Sequence, residues 1–87
     1  MAKEKKIRQY ARITLADWYK DEMKKINFDM FEKEKYGKGD RAIVILVYLG
    51  EIPNMQGHCV VAGWMSGRVY SGFHTENFRE MTMEDEE

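Results

Sequence analysis

Ala42-Ile43-Val44-Ile45-Leu46-Val47-Tyr48-Leu49 is the stretch on which the fold turns. It is a run of apolar residues rich in β-branched side chains. Gly39-Asp40 precede it and Gly50 follows it. The length and the flanking turn residues predict a strand rather than a helix. A strand with one wet face alternates apolar and polar residues. This one has no polar position before Glu51, so the reading is a strand covered on both faces.

Toward the C-terminus, His58-Cys59-Val60-Val61-Ala62-Gly63-Trp64 predicts a second strand. Ser66-Gly67 reads as a two-residue hairpin turn, with Gly taking a positive φ at low cost. Arg68-Val69-Tyr70-Ser71-Gly72-Phe73 then returns. Strict alternation places Val69, Ser71 and Phe73 on one face and Arg68, Tyr70 and Gly72 on the other. Thr75-Glu76-Asn77 reads as a tight turn before a short closing strand, Phe78-Arg79-Glu80-Met81. Four short antiparallel strands in so little chain predict a small closed barrel, because closure removes exposed sheet edges.

Toward the N-terminus, Thr14-Leu15-Ala16-Asp17 fits a capping box with Asp in place of Glu. Leu15, Trp18, Tyr19, Met23, Ile26, Met30 and Phe31 recur at three- and four-residue steps. This predicts an amphipathic helix from about Leu15 to about Lys35. Asn27-Phe28 is its weak point, where the helix can stop and restart with Asn27 as the new cap. The apolar stripe is expected to cover the outer face of the 42–49 strand and to bury Trp18. The fold class is therefore α+β: an N-terminal amphipathic helix packed on a small antiparallel barrel. The expected order is one domain with a basic arm (1–13), a helical segment (14–36), the barrel (39–82) and an acidic tail (83–87).

The 87 residues are 44% hydrophobic and 33% charged, the composition of an ordinary globular chain. The net charge is −1, divided as +3 over residues 1–40 and −4 over residues 41–87. One cysteine, Cys59, excludes an intramolecular disulfide. No apolar run reaches the roughly 18 residues of a membrane span, and no signal-peptide core follows the basic start. A cytoplasmic protein is expected.

Chemistry-bearing groups are sparse. His58 and Cys59 are adjacent, so an undistorted strand points them to opposite faces. His58, His74 and Glu76 make no closed four-ligand pattern. Cys59 lies in an apolar strand that disfavours a thiolate. Gly37-Lys38-Gly39-Asp40 lacks the spacing of a phosphate loop. The expectation is a protein without catalytic residues, metal or cofactor.

With the strands so placed, residues 39–82 resemble the SH3-like small barrels, and the KOW-type and related bacterial or phage barrels more than eukaryotic signalling SH3 domains. The matching pieces are Gly39-Asp40 before the first strand, the long loop after it, the Ser66-Gly67 hairpin and the Thr75-Glu76-Asn77 turn. The aromatic motif that holds PxxP ligands is absent. The resemblance implies an accessory or regulatory factor, a class that includes phage-encoded inhibitors, that binds a larger protein.

Recognition is expected on loops and exposed aromatics. The expected partner surface comprises Ile52, Met55, Trp64, Arg68, Tyr70 and His74, with an acidic rim from Glu51 and Glu76. The alternative is a nucleic-acid-binding barrel that uses Lys3, Lys5, Lys6 and Arg8 on phosphates. The few cations of the barrel half, Arg41, Arg68 and Arg79, count against it.

Overall fold

The computed structural model describes residues 7–86. Among these residues, seven strands and two α-helices follow in order, besides short 3-10 turns: β1 (Arg12–Leu15), α1 (Asp17–Ile26), α2 (Phe28–Glu34), β2 (Lys35–Tyr36), β3 (Ile43–Val44), β4 (Leu46–Glu51), β5 (His58–Gly63), β6 (Val69–His74) and β7 (Phe78–Glu80). Five strands form one antiparallel sheet in the order β6-β5-β4-β1-β7, and β2 and β3 form a separate two-stranded ribbon. The fold is α+β. The sheet is not the closed barrel expected from residues 39–82: its edges, β6 and β7, do not pair with each other.

The reason is β1. The sequence assigns Arg12–Leu15 partly to a basic arm and partly to a helix cap. Instead this segment inserts between β4 and β7, with Ile13 opposite both Leu46 and Glu80. Ile13, Thr14 and Leu15 are all buried there. Thr14 therefore caps nothing. The residue before α1 is Ala16, whose side chain makes no cap, and whose N–H bonds the Asn77 carbonyl at 2.8 Å.

The helical segment breaks where its sequence is weakest. Asn27 leaves helical geometry (φ −147°, ψ 61°), and its side chain accepts from the Met30 N–H at 3.3 Å to start α2. The break resets the helical phase. Tyr19 and Met23 of α1 and Met30 and Phe31 of α2 join the core with Ile13, Leu46 and Val61. Trp18, expected inside, is 59% exposed and touches Tyr19 edge-on, and Ile26 is exposed too.

The deciding run 42–49 is two strands. Val44 and Ile43 pair with β2, whereas Leu46 onward pairs with β1 and β5. Between them, buried Ile45 donates its N–H to the Glu34 carbonyl and accepts from the Trp64 N–H at 3.1 Å. Ala42, Val44, Ile45, Leu46 and Tyr48 are buried, which is why the run lacks polar residues. Two bulges flank Val60, one at Leu49-Gly50 of β4 and one at Gly72 of β6. Gly50 and Gly72 take φ values of 142° and 93°. Such bulges bend and twist a sheet.

Candidate partner-binding surface

The expected recognition residues divide among three places. Ile52 and Met55 lie in the β4–β5 connection, beside His74. Trp64 and Arg68 lie at the opposite end of the β5–β6 hairpin. Six strand residues separate the two ends, roughly 17–20 Å. Tyr70 points the other way, into the core.

At the first end, two tight turns follow one another. The Met55 N–H bonds the Ile52 carbonyl at 3.1 Å, with Pro53 second and Asn54 third at φ 69°. The His58 N–H bonds the Met55 carbonyl at 3.0 Å, with Gly57 third at φ 81°. A positive φ at the third position is the mark of a type II turn, and Pro pre-sets the second. The Ile52 N–H reaches the His58 carbonyl at 2.9 Å, and the Glu51 carboxylate accepts from the Gly57 N–H at 3.3 Å. The Thr75 N–H ties this connection to the next turn through the Gly57 carbonyl at 2.8 Å. The backbone is thus fixed while Pro53, Asn54 and Met55 stay exposed, Met55 at 44%. Ile52 is half-buried.

His58 and His74 are cross-strand partners with ring centroids 4.3 Å apart. His58 Nδ1 lies 3.1 Å from the Gln56 carbonyl, which assigns the proton to that nitrogen. The exposed side chains of Glu51 and Glu76 stand on this end, as the acidic rim requires. His58 thus joins His74 on this end, although the expected partner surface holds His74 alone. The antiparallel register of β5 with β6 brings the two together.

At the hairpin end, the loop is longer than the expected Ser66-Gly67 turn. Gly67 has φ 75°, but its N–H bonds the Gly63 carbonyl at 2.9 Å, and the Gly63 N–H bonds the Arg68 carbonyl at 2.8 Å. Trp64 is half in solvent, with the Arg12 guanidinium 5.2 Å from its ring centroid. Arg68 is exposed.

Tyr70 and Phe73 were assigned to opposite faces. The bulge at Gly72 brings them to the same one: Tyr70 lies opposite buried Val61 and Phe73 opposite buried Cys59. The Tyr70 hydroxyl donates to Glu34 Oε2 at 2.6 Å. The Ser66 hydroxyl lies 2.9 and 2.8 Å from the two oxygens of the same carboxylate. Glu34 is only 2% exposed, so these hydroxyls stand in for water around a charge-bearing group. Burial, then the bond to Glu34, pushes the Tyr70 pKa up to about 12. Tyr70 is thereby part of the structure rather than of a free surface.

Burial also raises the Cys59 thiol pKa, and the residue is fully enclosed, so it offers no accessible nucleophile. Among the described residues, no three of His, Cys, Asp or Glu converge on a metal position. Of the residues set aside for nucleic acid, Lys3, Lys5 and Lys6 lie outside the described residues. Arg8 is engaged by Glu80, with Nη2 3.0 Å and the backbone N–H 2.9 Å from the carboxylate. No helix among the described residues is long and apolar enough to cross a membrane. No family model matches the chain, and neither the curated proteins nor the solved structures yield a match.

Proposed function

We propose that this protein is a non-enzymatic interaction module, an accessory or regulatory factor that acts in the cytoplasm by docking on a larger protein. Its docking surface is the turn end of the sheet: Ile52, Pro53, Met55, His58 and His74. The observation that carries this reading is the hydrogen-bonded pair of turns that holds Met55 out in solvent. A surface fixed before binding loses little conformational entropy on association. Met is a side chain enriched at interface centres and adapts to a partner's shape. The bulged β4-β5-β6 meander keeps an SH3-like character in this reading, as an opened relative of those barrels.

The test is capture of the partner from the native cell, identified by mass spectrometry, with wild type and the Met55→Ala/His74→Ala double variant. The expected result is loss of one specific protein with the double variant and an unchanged melting temperature. Undiminished capture by the double variant, with loss on Trp64→Ala instead, moves the interface to the hairpin end and overturns the assignment.

A further inference from the structure

The two edges of the sheet are not alike. β7 has three residues, and Arg79 within it binds Asp85 at 2.7 and 3.0 Å, which ties the following chain to that edge. β6 has six residues, VYSGFH, and no strand among the described residues covers its outer side. It carries no Lys, Asp, Glu or Pro, the residues that usually guard an edge against pairing.

Its backbone presents an ordered ladder. The bond from the Gly63 N–H to the Arg68 carbonyl and that from the Thr75 N–H to the Gly57 carbonyl fix which levels face β5. By antiparallel alternation, Tyr70 and Phe73 also turn their N–H and C=O groups toward β5, opposite Val61 and Cys59. Val69, Ser71 and His74 turn theirs outward. The Gly72 bulge makes two residues count as one, so these three outward levels are evenly stepped about Ser71.

We propose that β6 pairs with the β6 of a second copy, antiparallel about a twofold axis at Ser71. Ser71 meets the second copy's Ser71, and each Val69 meets the other His74. One contact then satisfies both open edges, as an isologous interface does. The register also places Arg68 of each copy beside the turn that carries Glu76 of the other. Among the described residues, neither Arg68 nor Glu76 has an ion-pair partner within its own chain. Val69, 64% exposed, lies level with Ala62 and Val47 and ends this apolar row at the open edge, where the other copy's His74 ring would cover it.

Sedimentation of the full chain over a concentration series, up to about 1 mM, reads the association directly. The expected result is a reversible monomer–dimer equilibrium, with the Val69 and Ser71 amides slower to exchange as concentration rises. Ser71→Pro removes an outward N–H and no hydrogen bond to β5, and is expected to weaken association at least about tenfold. Val69→Lys, which tests the same edge without a backbone change, is expected to do likewise. Arg68→Glu is expected to weaken pairing, and adding Glu76→Arg to restore it. A monomer throughout the series, or a dimer indifferent to both Ser71→Pro and Val69→Lys, overturns the proposal. Met55 lies outside β6, so partner capture with Met55→Ala alone is a readout separate from sedimentation, and either proposal can fail alone.

Discussion

The two ends of the β5–β6 hairpin are held by opposite means. At the turn end, backbone hydrogen bonds and a few permitted φ values do most of the holding, and Pro53, Asn54 and Met55 are left exposed. At the hairpin end, a buried carboxylate does it, and side chains are consumed. Glu34 reaches from the last turn of α2 to Ser66 in the loop and Tyr70 in β6. The first arrangement leaves residues available for recognition. The second fastens a helix to a sheet edge. Substitutions should therefore unfold the protein from one end and spare its stability at the other.

The largest effect is expected from Gly63→Ala. An added Cβ there collides with the Glu34 carboxylate and the Ser66 hydroxyl. Displacing both should cost about 2–4 kcal/mol in denaturant unfolding. A loss under about 1 kcal/mol would show that the network moves freely and that the hairpin end is no more rigid than the other.

Tyr70→Phe should cost about 1–2 kcal/mol at neutral pH, since it removes one bond to a buried carboxylate. It should also change the alkaline limb of the stability profile. The folded-state pKa of Tyr70, about 12, lies above its ordinary value of 10.0. Its contribution is therefore complete below pH 10 and is lost as pH rises toward 12. Tyr19 and Tyr48 are shifted in the same direction, mainly by burial. The variant should show a shallower, not absent, alkaline decline in urea titrations. An identical slope would mean that the Tyr70–Glu34 bond does not persist in solution.

At the turn end, Asn54→Ala should cost about 1 kcal/mol, because Ala tolerates φ 69° less well than Asn, and Asn54→Gly should cost nothing. Equal melting temperatures for the two variants would show that this turn is not held in its left-handed conformation. The smallest effect is expected from Met55→Ala, within about 0.5 kcal/mol, as for an exposed side chain. A larger loss would make Met55 a packing residue and dissolve the contrast between the ends.

Much of the sheet was legible. The residues of β4, β5 and β6 announce themselves by β-branched content and by bounding glycines, and Asn27 marks the helix break. What escaped has specific causes. β1 is four residues long, too short to show a period, and Thr14 and Asp17 offered a plausible cap instead. Trp18 was misplaced because the apolar stripe was counted from Leu15, which belongs to β1, and was drawn wider than the face of α1 that is buried, Tyr19 and Met23. Phe73 was set apart from Tyr70 because a bulge at one glycine changes parity, and parity decides faces. Closure failed because the partner of β7 lies more than sixty residues upstream, beyond what local patterns encode. Asp85 shows the same blindness. In a run of acids it reads as solvated tail, yet Arg79 and the Thr82 N–H, at 2.6 Å from its carboxylate, hold its pKa far below the ordinary carboxylate range. For the candidate surface, the proline loop and His74 were found, while Trp64 and Tyr70 were grouped with them without regard to strand length and face.

The place of β1 also sets an order of events during synthesis. Its two neighbours are made far apart in time: residues 46–47 first, and residues 78–80 only near the end of the described chain. Until the ribosome has passed Glu80, a strand whose Ile13, Thr14 and Leu15 are buried in the finished molecule has one side unfilled. Helices and the β4-β5-β6 meander have sequence-local partners and can assemble earlier. The sheet is completed last from its interior outward, and a nascent chain halted before Phe78 presents that side of β1 to whatever meets it first.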